Sequence, residues 1–294
     1  MSFFSDISAI QNIVYIFSSI LFISGIKMLG KEDTAVRGNF LSASAMFIAV
    51  AVTIINVVNP VIVLIGVSIG AVIGSLIALR VKMTSIPEMV ALFNGFGGLA
   101  TFFIAWSEFN AIPDNVFQFI VIMLTTYIGG VTFSGSIIAY GKLSEKLKVK
   151  KDSFVTKIFT TFFYASILFL VYSIGFTEII ELPINFYTVL LILTLLGGIG
   201  FVIPIGGGDM PVVISLLNSF SGIAAAFAGL LLLNNVLIVA GSLVGASGLI
   251  LTIIMAKAMN RSIGYILFVG YASSSSSSGS QETGEVKPIN VADA

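Results

Sequence analysis

The sequence predicts an all-α protein, a polytopic transmembrane helix bundle of about nine spans. Apolar residues make up 57% of the 294 residues, whereas charged residues make up only 10%. Soluble domains carry about 25% charged residues, so this chain could not cover a soluble surface with them. Nine apolar segments have the length of a membrane span, and the basic residues occur only in alternate loops. Composition therefore excludes a soluble globular enzyme.

Each predicted span is an apolar stretch of about 20 residues, the length that crosses the hydrocarbon core as a helix. In chain order the spans are 8–28, 39–58, 61–79, 87–107, 116–141, 158–177, 185–204, 210–233 and 235–257. We interpret the first as a true span and not as a signal peptide. Its basic residue, Lys27, follows the apolar run, and no small-residue cleavage site is evident.

The charged residues predict the orientation of the spans. All 14 basic residues fall on one side: Lys27, Lys31, Arg37, Arg80, Lys82, Lys142, Lys146, Lys148, Lys150, Lys151, Lys157, Lys257, Arg261 and Lys287. The opposite loops carry only acidic residues, Glu108, Asp114, Glu178 and Glu181. By the positive-inside rule, the N-terminus is outside and the C-terminus is cytoplasmic, as an odd number of spans requires.

Composition divides the chain into a transmembrane domain, residues 1–270, and a flexible cytoplasmic linker, residues 271–294. The linker contains an unbroken serine run from Ser273 to Ser278, followed by a polar, glycine-containing segment. A linker normally leads to another domain. We therefore expect a missing domain after Ala294.

Two segments of the chain resemble each other. Residues 85–100 (SIPEMVALFNGFGGLA) and 209–224 (DMPVVISLLNSFSGIA) align without gaps, with six identities in 16 positions, among them Asn94 with Asn218 and Gly98 with Gly222. Both copies begin on the cytoplasmic side, so the repeat is parallel. Transporters built from repeats place the functional site near the repeat interface. The alternative is convergence, since membrane helices share a small alphabet of residues.

Both copies start with residues typical of a helix N-terminus. Ser85 and Asp209 are predicted N-caps, each with a proline two positions later, and Glu88 is placed for a capping box with Ser85. Glycines at four-residue spacing predict close helix contacts; they are Gly66, Gly70 and Gly74, and Gly241 with Gly245.

Candidate functional residues are the polar side chains of the spans and of the cytoplasmic helix ends. No Asp, Glu, Lys or Arg lies deep in a predicted span, which argues against a self-sufficient proton pump. The neutral polar candidates are Asn94, Asn218, Ser134, Ser136, Ser242 and Ser247. They either carry chemistry or only join helices. Asp209 and Arg261 either complement their own helix dipoles or form or exchange a pair when a cytoplasmic domain docks.

Several kinds of site are excluded. The chain has no cysteine and no histidine, which removes disulfides, thiol nucleophiles, haem ligation and the usual zinc sites. The triplet Gly206, Gly207 and Gly208 lacks the GKS/T of a phosphate loop, so we predict a hinge or a surface for another domain. We predict no metal site, no nucleotide site and no nucleic-acid partner for this chain.

Four motifs closely resemble the beta subunit of proton-translocating NAD(P) transhydrogenase. They are IPEMVALFNGFGGLA, GGVTFSGSIIAYGKL, GGGDMPVVISLLNSFSG and VGASGLILTIIMAKAMNRS, and the resemblance extends over nearly the whole chain. It implies a multi-pass enzyme subunit of the inner (cytoplasmic) membrane. In that family, hydride passes between NAD(H) on a soluble domain of the alpha subunit and NADP(H) on a C-terminal domain of beta. Proton movement through the membrane domain drives the reaction toward NADPH.

Carried over to this sequence, the resemblance implies that Asn94, Ser136 and Asn218 belong to the proton pathway. It implies that Asp209 and Arg261 couple that pathway to the NADP-binding domain. The implied partners are that domain and an alpha subunit with an NAD-binding domain and membrane helices, in a dimer of the alpha–beta unit within the lipid bilayer. NAD and NADP are cofactors of the full complex. Because the resemblance implies that the NADP-binding domain is missing from this chain, we expect the chain to bind neither cofactor and to be inactive alone.

The sequence departs from many relatives at Asn94, where they carry a histidine. Asparagine does not titrate near neutral pH, so Asn94 can hydrogen-bond a proton carrier but cannot be one. The resemblance suggests that a membrane helix of the alpha subunit supplies the histidine, and we predict a titratable group there, facing Asn94. The alternative function is a secondary transporter with a parallel internal repeat, and a structural membrane anchor ranks third.

Overall fold

The computed structural model describes residues 2–55, 57, 59–111, 115–147, 154–175, 184–264 and 266. These residues form nine α-helices and no β-strand. The helices are α1 (Ser2–Leu29), α2 (Glu32–Ile55), α3 (Pro60–Arg80), α4 (Ile86–Asn110), α5 (Val116–Leu143), α6 (Phe154–Gly175), α7 (Ile184–Val202), α8 (Met210–Leu231) and α9 (Asn235–Ala258). Short 3₁₀ turns, Met83–Ser85 and Gly207–Asp209, directly precede α4 and α8. The predicted linker, residues 271–294, lies outside the described residues.

Eight of the described helices are long and apolar enough to cross a membrane. The other helix, α7, contributes a shorter apolar stretch, Phe186–Val202. The predicted all-α bundle is thus confirmed. The predicted orientation stays a prediction, because the packing of helices does not reveal which side faces the cytoplasm.

The observed helix bounds differ most from the predicted spans at α2. The apolar segment covers residues 39–58, whereas the helix begins at Glu32 and ends at Ile55. Its first turn carries Glu32 and Asp33, which the positive N-terminal end of the helix dipole stabilises. Helical hydrogen bonding therefore extends beyond the apolar segment that predicts the span.

The centre of the bundle is formed by α5 and α8. Helix α5 contacts α4, α7 and α8, and α8 also contacts α4 and α9. The main buried apolar cluster takes residues from five helices, among them Ala91, Ala139, Val202, Leu217 and Ala256. Polar side chains on the inner faces of α4, α5 and α8 are consequently held in the least exposed part of the described chain.

The two copies of the sequence repeat adopt the same arrangement, with α4 packed on α5 and α8 packed on α9. The equivalent glycines lie at the two contacts. A Cβ atom on Gly98 would lie 2.9 Å from the carbonyl oxygen of Gly129, and one on Gly222 would overlap the backbone nitrogen of Gly245. Only glycine allows the backbones to approach so closely. The close contacts predicted at Gly241 and Gly245 are confirmed, since Cβ atoms there would collide with atoms of α8.

The α1–α2 hairpin lies beside this core, and α1 contacts α9. Helix α3 has no buried residue. A Cβ atom on Gly66, Gly70 or Gly74 would meet no atom within 4 Å. The close helix contact predicted for these three glycines is therefore wrong within the described chain, because none of its helices packs against the face of α3 that carries them.

The predicted N-cap positions of α4 and α8 are confirmed, since Ser85 and Asp209 directly precede the two helices and a proline lies in each first turn, but the side-chain hydrogen bonds of a cap do not form. Ser85 and Asp209 precede the two helices, but neither side chain bonds to the first turn. Their dihedral angles are φ −98°, ψ 6° and φ −91°, ψ −3°, because each residue ends a 3₁₀ turn. A capping side chain typically requires extended backbone. The Ser85 N–H donates to the Lys82 carbonyl at 2.9 Å, so the capping box with Glu88 does not form.

Candidate functional site

Asn94 joins three helices through its side-chain amide. Its Nδ2 donates a hydrogen bond to Ser136 Oγ on α5 at 3.0 Å. Its Oδ1 accepts a hydrogen bond from Ser221 Oγ on α8 at 2.7 Å. Asn94 is 9% exposed and Ser136 is fully buried. The structure thus brings Asn94 and Ser136 together, as members of one polar cluster between the two halves of the repeat.

Ser221 has a choice of acceptors within this cluster. Its hydroxyl lies 2.7 Å from Asn94 Oδ1 and 2.8 Å from the backbone carbonyl oxygen of Asn218. A serine hydroxyl has a single proton to donate, so it can satisfy only one of these acceptors at a time. Rotation of the Ser221 hydroxyl group therefore makes or breaks the hydrogen bond that connects Asn94 to α8.

The sequence prediction missed Ser221, although the repeat contained a signal for it. Ser221 aligns with Gly97, and Ser219 aligns with Gly95, so α8 has hydroxyls where α4 has glycines. Ser219 Oγ donates to the Gly245 carbonyl at 2.6 Å and so fastens α8 to α9. Comparison of the two copies at their differences, as well as at their identities, would have found both serines.

Asn218, the repeat equivalent of Asn94, has a different environment. Its side chain is half-buried, and the described residues include no hydrogen-bond partner for its amide. Only its backbone carbonyl meets the cluster, through Ser221. The structure therefore places Asn218 next to the Asn94 cluster along α8, but does not include its side chain in the hydrogen bonds.

The remaining serine candidates do not join the cluster. Ser134 is buried and donates to the Gly130 carbonyl of its own helix at 3.0 Å. Ser242 is exposed, and so is Ser247, whose hydroxyl bonds to its own helix at 3.1 Å. Ser134 and Ser247 fit the simpler interpretation, in which a hydroxyl in a membrane helix is satisfied locally, and Ser242 lies on the exposed surface away from the cluster.

Asp209 and Arg261 form an ion pair on the surface of the bundle. Arg261 Nη1 lies 3.4 Å from Asp209 Oδ2, and the two side chains, Arg261 and Asp209, are 43% and 17% exposed. Asp209 ends the 3₁₀ turn before α8, and Arg261 follows α9. The pair therefore connects the start of α8 to the end of α9.

The end of α9 directs Arg261 toward this pair. Asn260 has φ 53°, in the left-handed region that asparagine tolerates better than most residues. The Arg261 N–H donates to the Ala256 carbonyl at 3.0 Å, and the Asn260 N–H donates to the Lys257 carbonyl at 2.9 Å. These two bonds form a Schellman motif, which satisfies the last carbonyls of α9 and reverses the chain direction.

The glycine triplet before Asp209 is exposed. A Cβ atom added to Gly207 or Gly208 would meet no atom within 4 Å, so open space lies beside both. None of the described glycines has positive φ. The backbone conformation of this loop thus does not require glycine, and the prediction of a hinge or a docking surface there stays a prediction.

Lys142 contributes to the orientation signal in the sequence, and it also has a defined structural position. Its ammonium lies at the end of α5 and donates to the backbone carbonyls of Val202 (3.2 Å), Ile203 and Ile205 (2.6 Å). Val202 ends α7, and Ile205 directly precedes the glycine triplet. Lys142 therefore holds the segment that leads from α7 to Asp209.

Comparison with known proteins matches the chain to one family. A family profile described as NAD(P) transhydrogenase beta subunit matches residues 11–294. Two relatives named NAD(P) transhydrogenase subunit beta, both from Rhodospirillum rubrum and one from a designated strain, are each 35% identical over 271 residues. The matched stretch covers 88% of this chain and 58% of each relative, so the chain spans little more than half of their length. The chain belongs to the NAD(P) transhydrogenase beta subunit family.

Proposed function

We propose that the chain is the membrane domain of a proton-translocating NAD(P) transhydrogenase. In the complete complex it couples proton movement across the membrane to hydride transfer between NADH and NADP. The family membership carries this proposal, and the buried polar cluster of Asn94, Ser136 and Ser221 gives it a physical location. The family does not favour the alternative of a secondary transporter.

The nucleotides bind outside this chain in our proposal. NAD(H) binds to a soluble domain of an alpha subunit, and NADP(H) binds to a soluble domain that follows the linker at residues 271–294. The complex is a dimer of the alpha–beta unit in the inner (cytoplasmic) membrane. The eight long apolar helices of the described residues support the membrane location.

The proton pathway passes the Asn94 cluster. Asn94, Ser136 and Asn218 line it, and Ser221 takes part through its choice between two acceptors. An amide and hydroxyls exchange no net proton near neutral pH, so they orient a proton carrier and do not act as one. The carrier is a titratable side chain on an alpha-subunit helix that faces Asn94.

Asp209 and Arg261 transmit the state of the pathway to the NADP-binding domain. Their ion pair supports this role because α8, the helix that begins after Asp209, also carries Ser221. Helix α8 therefore connects the hydrogen bonds of Ser221 to the position of Asp209, which directly precedes it.

The test uses the complete complex in sealed vesicles with an imposed proton gradient. Reduction of NADP by NADH is followed by absorbance, and the gradient is followed by a pH-sensitive dye. Asn94→Ala should reduce the gradient-driven rate about tenfold, which corresponds to about 1.4 kcal/mol in the barrier. Asn94→Asp replaces the amide with a carboxylate of similar shape, which adds a second titratable group beside the carrier, so the pH profile of its rate should differ from that of the unmodified complex.

Ser247→Ala is the matched control, because Ser247 is exposed and, among the described residues, its hydroxyl bonds to a carbonyl of its own helix. Its gradient-driven rate should equal that of the unmodified complex. The proposed function would be contradicted if the rate of hydride transfer in the unmodified complex did not change with the proton gradient. Full coupling in a complex whose alpha-subunit helices lack any ionisable residue would contradict the proposed carrier.

A further inference from the structure

The three hydrogen bonds of Lys142 use its full capacity. A lysine ammonium has three N–H donors, and three carbonyl oxygens, those of Val202, Ile203 and Ile205, accept from it. All three of these residues are buried. The Ile203 and Ile205 carbonyls lie in the segment after α7, and Lys142 donates a hydrogen bond to each.

These carbonyls require a partner. The last carbonyl oxygens of a helix have no N–H donor within that helix, and a positive charge is favoured at the C-terminal end of a helix dipole. The charge here comes from a different helix, α5, and not from α7 itself. The contact thus fixes the segment after α7 relative to α5, in addition to satisfying the carbonyls.

The two ends of this contact lie close to the two parts of the proposed site. On α5, Lys142 follows Ser136 by six residues, about 9 Å along a helix axis. In the α7–α8 segment, Ile205 precedes Asp209 by four residues. Contacts therefore run from Asn94 through Ser136 and α5 to Lys142 and the Ile205 carbonyl, and the backbone continues from Ile205 to Asp209.

We infer that Lys142 is a positioning residue that connects the Asn94–Ser136 cluster to the Asp209–Arg261 ion pair. It does so by holding the segment between α7 and α8 against the end of α5. A shift of α5 then moves the start of α8 and its ion pair. This inference rests on the proposed function, since it names the connection between the pathway and the coupling site.

The experiment combines a mobility measurement with a coupling measurement in the complete complex. The chain has no cysteine, so a nitroxide on Gly207→Cys labels the loop specifically within it, and a Cβ atom there meets no neighbour. Lys142→Met keeps the length of the side chain but removes the charge and all three donors. We expect it to mobilise the label and to lower the ratio of protons translocated to hydrides transferred about tenfold.

Two variants complete the comparison. Lys146→Met is the matched control, because Lys146 is exposed and its described side-chain contacts are with Tyr140. It should change neither the mobility of the label nor the ratio of protons translocated to hydrides transferred. Lys142→Arg restores charge and donors, and we expect it to recover most of both readouts. If Lys142→Met does not assemble, Lys142→Gln, which keeps two donors without the charge, is measured in its place.

The outcomes separate the inference from the proposed function. A mobile label with a lowered ratio, recovered by arginine, supports the inference. The inference is overturned if the mobility of the label does not change, or if the label becomes mobile while the ratio of protons to hydrides stays the same. In either case Lys142 would only satisfy the carbonyls at the end of α7. An unmodified complex that moves no protons overturns the proposed function, and the connection inferred for Lys142 is overturned with it.

Discussion

Arg261 and Asp209 are 52 positions apart in the chain, and their side chains form an ion pair of 3.4 Å. The sequence predicted that the two charges either complement their own helix dipoles or form or exchange a pair when a cytoplasmic domain docks, and in this structure they are paired. Docking of such a domain would therefore have to exchange this contact for another. The structure therefore gives one arrangement of the pair, and a coupling role for it is tested by replacing each partner.

The first prediction concerns the stability and the activity of this pair. Asp209→Asn should change the free energy of unfolding by less than about 1 kcal/mol, because partly exposed ion pairs contribute little. In the complete complex it should nevertheless reduce gradient-driven NADP reduction. Unfolding in denaturing detergent gives the stability, and the vesicle assay gives the rate.

The control is Lys257→Gln, which removes an exposed positive charge from the last turn of α9 without touching the pair. It should leave both quantities unchanged. Unchanged coupled turnover in both Asp209→Asn and Arg261→Gln would rule out a coupling role for the pair.

The second prediction compares the two asparagines of the repeat. Asn94→Ala removes two side-chain hydrogen bonds in a buried cluster, whereas Asn218→Ala removes none among the described residues. Asn94→Ala should therefore destabilise the protein by about 1–2 kcal/mol more than Asn218→Ala. Equal losses in detergent unfolding would show that the hydrogen bonds of Asn94 contribute nothing net to stability.

The third prediction concerns the close contact between α8 and α9. Gly222→Ala places a methyl group against the backbone nitrogen of Gly245, so the helices must separate, at a cost of about 1–3 kcal/mol. Gly66→Ala is the matched control, because the added methyl meets no atom within 4 Å. The midpoint of thermal unfolding should fall for the first variant only. A fall of equal size in both would indicate that glycine itself, and not the contact, matters.

The fourth prediction tests the orientation of the spans. Ala111 and Gly207 are exposed, lie in different loops, and can be replaced by cysteine in a chain that has none. The positive-inside rule places Ala111→Cys outside and Gly207→Cys in the cytoplasm. A membrane-impermeant maleimide added to intact cells should modify the first only. Modification of the second in intact cells would reverse the assigned orientation.

The helices could be predicted from the sequence because a membrane span has a fixed length and must be apolar along it. Other features depend on how one helix is rotated against another, which apolar length does not determine. The bond between Asn94 and Ser136 is such a case, since the two residues are 42 positions apart on different helices. The resemblance to the family named both residues, but their contact came from the packing of α4 on α5.

Two wrong predictions have similar physical origins. The spacing of Gly66, Gly70 and Gly74 permits close packing but does not determine whether a partner helix exists within the same chain. Ser85 is a good capping residue, but a 3₁₀ turn before α4 gives it the wrong backbone conformation. Lys142 was missed as a contact because three backbone carbonyls leave no trace in the sequence.

The exposure of α3 has a consequence for spectroscopy. Because none of its residues is buried, a fluorophore on this helix would report on the surrounding medium and not on the folding of the bundle. Its emission would shift with the solvent polarity of detergent, lipid or an adjoining subunit, while the tertiary structure stayed intact. A probe at Gly70 could therefore follow assembly without being sensitive to unfolding of the core, and assembly and unfolding could be recorded as separate signals.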